Sequence, residues 1–75
     1  MFIHVSKAKY IEDYTVWLAF NDGAEGFADL STELEGEIFE PLKDLSFFTD
    51  FTLSGHTLCW PNGADLAPEF LRGKI

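Results

Sequence analysis

Few side chains in this sequence have the types and spacings that carry out catalysis. Cys59 and His56 could form a nucleophile and its base, but they are three residues apart around a hairpin and should point to opposite faces. We therefore expect Cys59 to be a half-buried strand residue and His56 a solvated turn residue. His4 lies near no other candidate base or ligand. No catalytic residue is predicted, and the chain is not expected to be an enzyme.

Acidic side chains between residues 29 and 40 could offer oxygen ligands to calcium or magnesium. Glu33, Glu35 and Glu37 lack the spacing of a calcium-binding loop, and soft ligands are nearly absent. No metal and no cofactor is predicted. Nothing selects one pair of carboxylates for acid and base work, so an acid-based enzyme is the least favoured function.

The charge is negative and unevenly distributed. The formal net charge is −8, and residues 12–50 contain eleven of the thirteen acids but only one base, Lys43. An acidic surface confers solubility and can attract a basic protein, whereas nucleic acid is bound by clustered Lys and Arg. The single cysteine, the start without signal-peptide features and the lack of a long apolar run predict a cytoplasmic protein that binds no membrane.

Aromatic residues indicate a possible binding surface more clearly than the reactive or acidic residues do. Trp17 and Phe27 share a predicted strand face with Thr15, Glu25 and Asp29. Such a mixed face could bind a partner; alternatively, the segment containing Phe39, Phe47 and Phe48 could cover it. The residues proposed for partner binding are Trp17, Glu25, Phe27, Asp29, Glu33, Glu35 and Glu37.

Two turns of the same form organise the strands. Phe20-Asn21-Asp22-Gly23 and Trp60-Pro61-Asn62-Gly63 each predict a three-residue loop with the glycine in the left-handed region. The first loop sets Phe20 opposite Ala24 and makes one face wholly apolar, whereas a two-residue loop would mix acids into that face. Gly23, Pro61, Asn62 and Gly63 are therefore interpreted as structural turn residues.

Further strands are predicted on both sides of these turns. Gly55-His56 indicates a two-residue hairpin loop, so the second group forms a three-strand meander. Its inner face would contain Phe51, Leu53, Leu58, Trp60, Ala64 and Leu66. The segment Phe2 to Ile11 is expected to be a strand of unsettled register. Because Lys7 and Lys9 share the parity of Val5, the strand either leaves the core or forms an edge protected by lysines.

Short helices complete the predicted fold. Thr32 to Glu35 matches a capping box that Gly36 would terminate. Pro41 lies among apolar residues at helical spacing and indicates a break or a fresh start. Pro68 and Gly73 bound one or two further turns. Together these elements predict a single α+β domain over residues 1–75, with small antiparallel hairpin and meander sheets and short helices.

Three segments carry a resemblance to a known family. They are Leu18-Ala19-Phe20-Asn21-Asp22-Gly23 with Asp29-Leu30, Pro41-Leu42-Lys43-Asp44 with Phe48, and Trp60-Pro61-Asn62-Gly63-Ala64-Asp65-Leu66-Ala67-Pro68-Glu69 with Leu71. In these the chain resembles the short bacterial proteins of domain-of-unknown-function family 2442.

The resemblance implies a small α+β domain that occurs alone or ahead of a helix-turn-helix DNA-binding domain. Since this chain ends at Ile75, we expect no second domain and no direct binding of DNA. The resemblance implies no catalytic residues. Members are often encoded beside another small uncharacterised protein, which by analogy suggests an antitoxin-like role.

The favoured function is a non-enzymatic protein-interaction module, in the antitoxin-like case the partner of a small basic protein. The alternative is a sensor domain that binds a small ligand on the mixed face or in a pocket between the sheets. An exposed strand edge also leaves homo-oligomer formation open.

Overall fold

A computed structural model of the chain describes residues 2–75 and shows two antiparallel sheets. The first sheet contains β1 (Val5–Glu12), β2 (Thr15–Phe20) and β3 (Glu25–Asp29) in the order β1-β2-β3, and the second pairs β4 (Thr52–Ser54) with β5 (Thr57–Cys59). The helices are α1 (Leu45–Phe48) and α2 (Pro68–Arg72), with 3-10 turns at Ser31–Glu33 and Glu40–Lys43. The predicted α+β class is confirmed. Within residues 2–75, no helix has the length and apolar character to cross a membrane.

The turn between β2 and β3 has the predicted three-residue loop. Gly23 has a φ of 90°, and the Phe20 amide donates to the Ala24 carbonyl over 2.8 Å. The register follows from this loop, with Leu18 opposite Gly26 and Trp17 opposite Phe27. One face of the hairpin is therefore apolar and the other is mixed, as the pattern predicts.

The turn after Trp60 repeats the same geometry. Gly63 has a φ of 89°, and the Trp60 amide donates to the Ala64 carbonyl over 2.9 Å. The Asn62 side chain accepts from the Ala64 amide over 3.0 Å and donates to the Ile38 carbonyl over 2.8 Å. In the first turn, Asp22 accepts from Ala24 in the same way. Asn62 thus also connects its turn to the segment containing Ile38 by a hydrogen bond.

Two irregularities in β1 settle the register that the sequence left open. Val5 lies opposite Phe20, but Lys7 lies opposite Ala19, so Ser6 is an extra residue in β1. A second extra residue, Ile11, follows Tyr10. After the first bulge, odd-numbered residues of β1 no longer lie on the same face as Val5. Lys7 and Lys9 therefore lie on the face of β1 away from the core and are exposed. Of the two alternatives, the edge strand with lysines is confirmed.

The second sheet is smaller than the predicted meander. Leu53 lies opposite Leu58 as predicted, but the third strand is reduced to one bridge between Cys59 and Asp65. The placement of Leu53 on an inner face is wrong, because its side chain is 42% exposed. All of β4 is exposed, so the hairpin buries its second strand alone.

The capping-box prediction is also wrong. The 3-10 turn starts at Ser31, one residue before the expected cap, and no side chain caps it at Leu30. The Asp29 carboxylate instead accepts from the Ser31 amide over 2.9 Å. Pro41 lies in the first turn of Glu40–Lys43, which confirms the fresh start.

The core lies between the two sheets and is centred on Phe48. Its ring lies edge-on to Tyr14 with centroids 5.2 Å apart, and its carbonyl accepts from the Trp60 indole over 2.8 Å. The largest fully buried side chains around it are those of Val16, Leu18, Leu30, Leu34, Leu42, Leu58 and Leu71. The C-terminal residues close this core, because Ile75 packs close to Gly26.

We expect Gly23→Val and Gly63→Val each to destabilise the fold strongly. Apart from the two neighbouring residues in the chain, no atom of residues 2–75 lies within 4 Å of the position that a Cβ would take at either glycine, so the loss comes from the positive φ alone. A left-handed conformation costs an L-residue about 1–2 kcal/mol, more when it is β-branched, and each kcal/mol lowers Tm by about 4–8 °C in a domain of this size. Thermal denaturation followed by circular dichroism measures this. Gly23→Asn is the control, since Asn tolerates this region and should lose less; a Val variant that melts like the parent would show that the loop assignment is wrong.

Three carboxylates should make the fold sensitive to acid. The pKa of Asp22 is lowered by the hydrogen bond from the Ala24 amide and by Arg72, that of Asp29 by the Ser31 amide, and that of Glu33 by Lys74. A lowered folded-state pKa gives stability that is complete above the ordinary values of 3.8 and 4.5 and is lost as the pH falls through the folded values. We expect Tm to fall below about pH 4. Glu33→Gln should reduce this dependence, and an unchanged slope for that variant would contradict the role of the Lys74 contact.

Candidate interaction surface

The sheet face opposite the core is called here the outer face. It contains Trp17 and Phe27, the aromatic residues proposed for partner binding. Its central row runs from Lys9 through Trp17 to Phe27 across the three strands. The neighbouring rows are Lys7, Ala19 and Glu25 on one side and Glu12, Thr15 and Asp29 on the other. These positions follow from strand alternation and from the bulge at Ser6.

Helices leave the centre of the outer face uncovered. Phe27 is 62% exposed and Trp17 is half-buried. Phe48 is fully buried, and Phe39 and Phe47 pack against the same core cluster. The alternative in which this segment covers the mixed face is therefore wrong. Its phenylalanines pack against the core on the opposite side of the sheet, where Phe48 is buried and Phe39 and Phe47 are partly buried.

Charge is unevenly distributed over the outer face. β1 carries the exposed Lys7, Lys9 and Glu12, whereas the charged residues of β3 are the acids Glu25 and Asp29. The hydrogen bond from the Ser31 amide lowers the pKa of the Asp29 carboxyl, so it is ionised at neutral pH. The side of the face nearest Phe27 is thus acidic and aromatic.

The remaining acids proposed for partner binding lie beyond β3 and differ among themselves. The Glu33 carboxylate is 2.6 Å from the Lys74 ammonium, so this ion pair within the chain largely neutralises the negative charge of Glu33. Glu35 and Glu37 are exposed and adjoin Ile38, which is 47% exposed. The proposed residues therefore form two groups, with Trp17, Glu25, Phe27 and Asp29 on the sheet and the three glutamates on the following segment.

The residues considered for nucleophilic chemistry do not meet. The Cys59 thiol donates to the Ser54 carbonyl over 3.3 Å. His56 instead lies against His4, with ring centroids 4.8 Å apart, because the Val5 amide donates to the His56 carbonyl over 2.8 Å. Sequence reasoning missed this pair, which arises from contact between β1 and the second hairpin.

Residues 2–75 contain no group of three or more His, Cys, Asp or Glu side chains placed to hold an ion, and they enclose no pocket. The turn residues Gly23, Pro61, Asn62 and Gly63 lie in the loops that set the strand registers.

Comparison with known proteins places the chain in a family. A family model described as a protein of unknown function (DUF2442) matches residues 5–75. No curated protein and no solved structure matches the chain. Because the match includes the strands, both three-residue turns and α2, the chain belongs to the DUF2442 family.

Proposed function

We propose that this protein is a non-enzymatic protein-interaction module that binds a partner protein through the outer face of its first sheet. The observation that carries the proposal is the exposure of Phe27 beside Trp17 at the centre of that face. Full burial of a phenylalanine side chain contributes about 1.5–3 kcal/mol. Aromatic side chains of this kind often dominate the binding energy of protein interfaces.

The partner that fits this surface best is basic. The chain has a formal net charge of −8, and Glu25 and Asp29 flank Phe27 on β3. A negative field attracts a basic protein over a distance, and salt screens that attraction. An antitoxin-like role towards a small basic protein is the more specific form of this proposal. The alternative, a sensor that binds a small ligand, would use the mixed outer face, because residues 2–75 enclose no pocket.

Phe27→Ala should weaken binding of the partner protein and leave the fold intact. We expect the amount of partner that co-purifies with a tagged chain from its native cell to fall about tenfold, which is the effect of losing roughly 1.4 kcal/mol of binding free energy. Because Phe27 is 62% exposed, Tm should change little. Leu53→Ala is the matched control, since Leu53 is an apolar residue that is 42% exposed and lies on β4, outside the proposed binding surface.

The same experiment contains the result that would overturn the proposal. If no stoichiometric partner co-purifies at low salt, or if recovery is the same for the parent and both variants, the outer face is not the docking surface. Recovery should decline as sodium chloride is raised, because the acidic surface contributes to the encounter.

A further inference from the structure

β3 is an edge strand, and no other strand within residues 2–75 pairs with its outer side. The Phe20 amide donates to the Ala24 carbonyl, and the Leu30 amide donates to the Tyr14 carbonyl. Backbone groups alternate in direction along an antiparallel strand, so the even-numbered residues of β3 face β2. The amides and carbonyls of Glu25, Phe27 and Asp29 therefore point away from the sheet.

The edge of β3 is open where the edge of β1 is protected. β1 has two bulges, exposed lysines at Lys7 and Lys9, and a backbone hydrogen bond from Val5 to His56 in the second hairpin. Such features are the usual means by which proteins block pairing at a sheet edge. β3 pairs with β2 in an unbroken register, and no backbone group among residues 2–75 outside the sheet bonds to its outer side.

We propose that β3 accepts a strand of the partner by β-strand addition, and that this strand carries basic, apolar and basic residues at alternate positions. The side chains of Glu25, Phe27 and Asp29 share the outer face, so an added strand would place every second residue beside them. Opposite charges and apolar pairs across neighbouring strands are stabilising. This inference rests on the proposed function and names the partner's chemistry and its mode of docking.

A second copy of this chain is a poor occupant of the same edge. An antiparallel pair of β3 strands centred on Phe27 would place Glu25 opposite Asp29 of the second copy, and a parallel pair in register would place each acid beside its own counterpart. Like charges directly opposite each other are destabilising. Each copy also carries a formal net charge of −8. The acids on β3 thus discourage self-association and select a basic strand.

A designed hairpin peptide tests this mode of binding. One strand of the hairpin has an unpaired backbone edge and the sequence Lys-Thr-Val-Thr-Lys. A control peptide has Glu in place of both Lys. We expect the lysine peptide to slow amide hydrogen exchange about tenfold or more at Glu25, Phe27 and Asp29, since their amides would become hydrogen-bonded. Gly26 and Ala28, which already face β2, should change little. Two-dimensional NMR of the labelled full chain resolves these residues.

A matched pair of variants separates edge recognition from general attraction of charge. Glu25→Lys and Asp50→Lys change the net charge equally, and both acids are exposed. Asp50 lies between α1 and β4 and is not among the residues proposed for partner binding. We expect Glu25→Lys to abolish the alternating protection and Asp50→Lys to retain it.

Three results would overturn the strand-addition proposal. They are no binding of the lysine peptide at millimolar concentration, binding without alternating protection, and equal losses in the two variants. The proposed function would survive each of them if co-purification of the native partner still depended on Phe27. It would fail separately if that dependence were absent.

Discussion

The contact between Phe48 and Trp60 is the constraint on which the rest of the structure depends. The Trp60 indole donates to the Phe48 carbonyl over 2.8 Å in a buried setting, and the two rings lie 5.9 Å apart. The pair joins α1 to the second hairpin, and Phe48 also contacts Tyr14 at the turn of the first sheet. A buried indole N–H without an acceptor would cost about 1–3 kcal/mol, so the contact fixes both elements in one arrangement. The helical segment is thereby committed to the inner face of the sheet.

Local turn chemistry was sufficient to predict much of the fold. Both three-residue loops and the register of β2 with β3 follow from the positions of Gly23 and Gly63 and from the need for one apolar face. The bulges at Ser6 and Ile11 could not be predicted, because neither residue has a conformational signature and the bulges serve to match β1 to β2. The capping box failed because Asp29 bonds the Ser31 amide and Glu33 binds Lys74, distant in sequence. A local pattern cannot reveal such a competing partner.

The sequence pattern predicted which face of the sheet contains the candidate site, but it did not predict whether that face is exposed to solvent. Alternation along β2 and β3 places Trp17 and Phe27 on the same side without any knowledge of tertiary structure. Whether a helix covers that side depends on where Phe48 is buried, which is a property of the whole core. Lys7 and Lys9 joined the outer face only through the bulge at Ser6. The sequence pattern therefore indicated the acidic and aromatic half of the surface and missed its basic border.

A small chain with one core has little material with which to cover both faces of a sheet. Domains of this size bury only about 60% of the surface that their unfolded chains expose, so some large apolar side chains stay accessible. One of these side chains is Phe27 on β3, which lies between two acids on an edge strand. A partner strand at this edge would gain backbone hydrogen bonds, an apolar contact and two ionic contacts from five consecutive residues. Since the same acids would repel a second copy of the chain, the features that disfavour self-association at this edge would also select the strand that binds there.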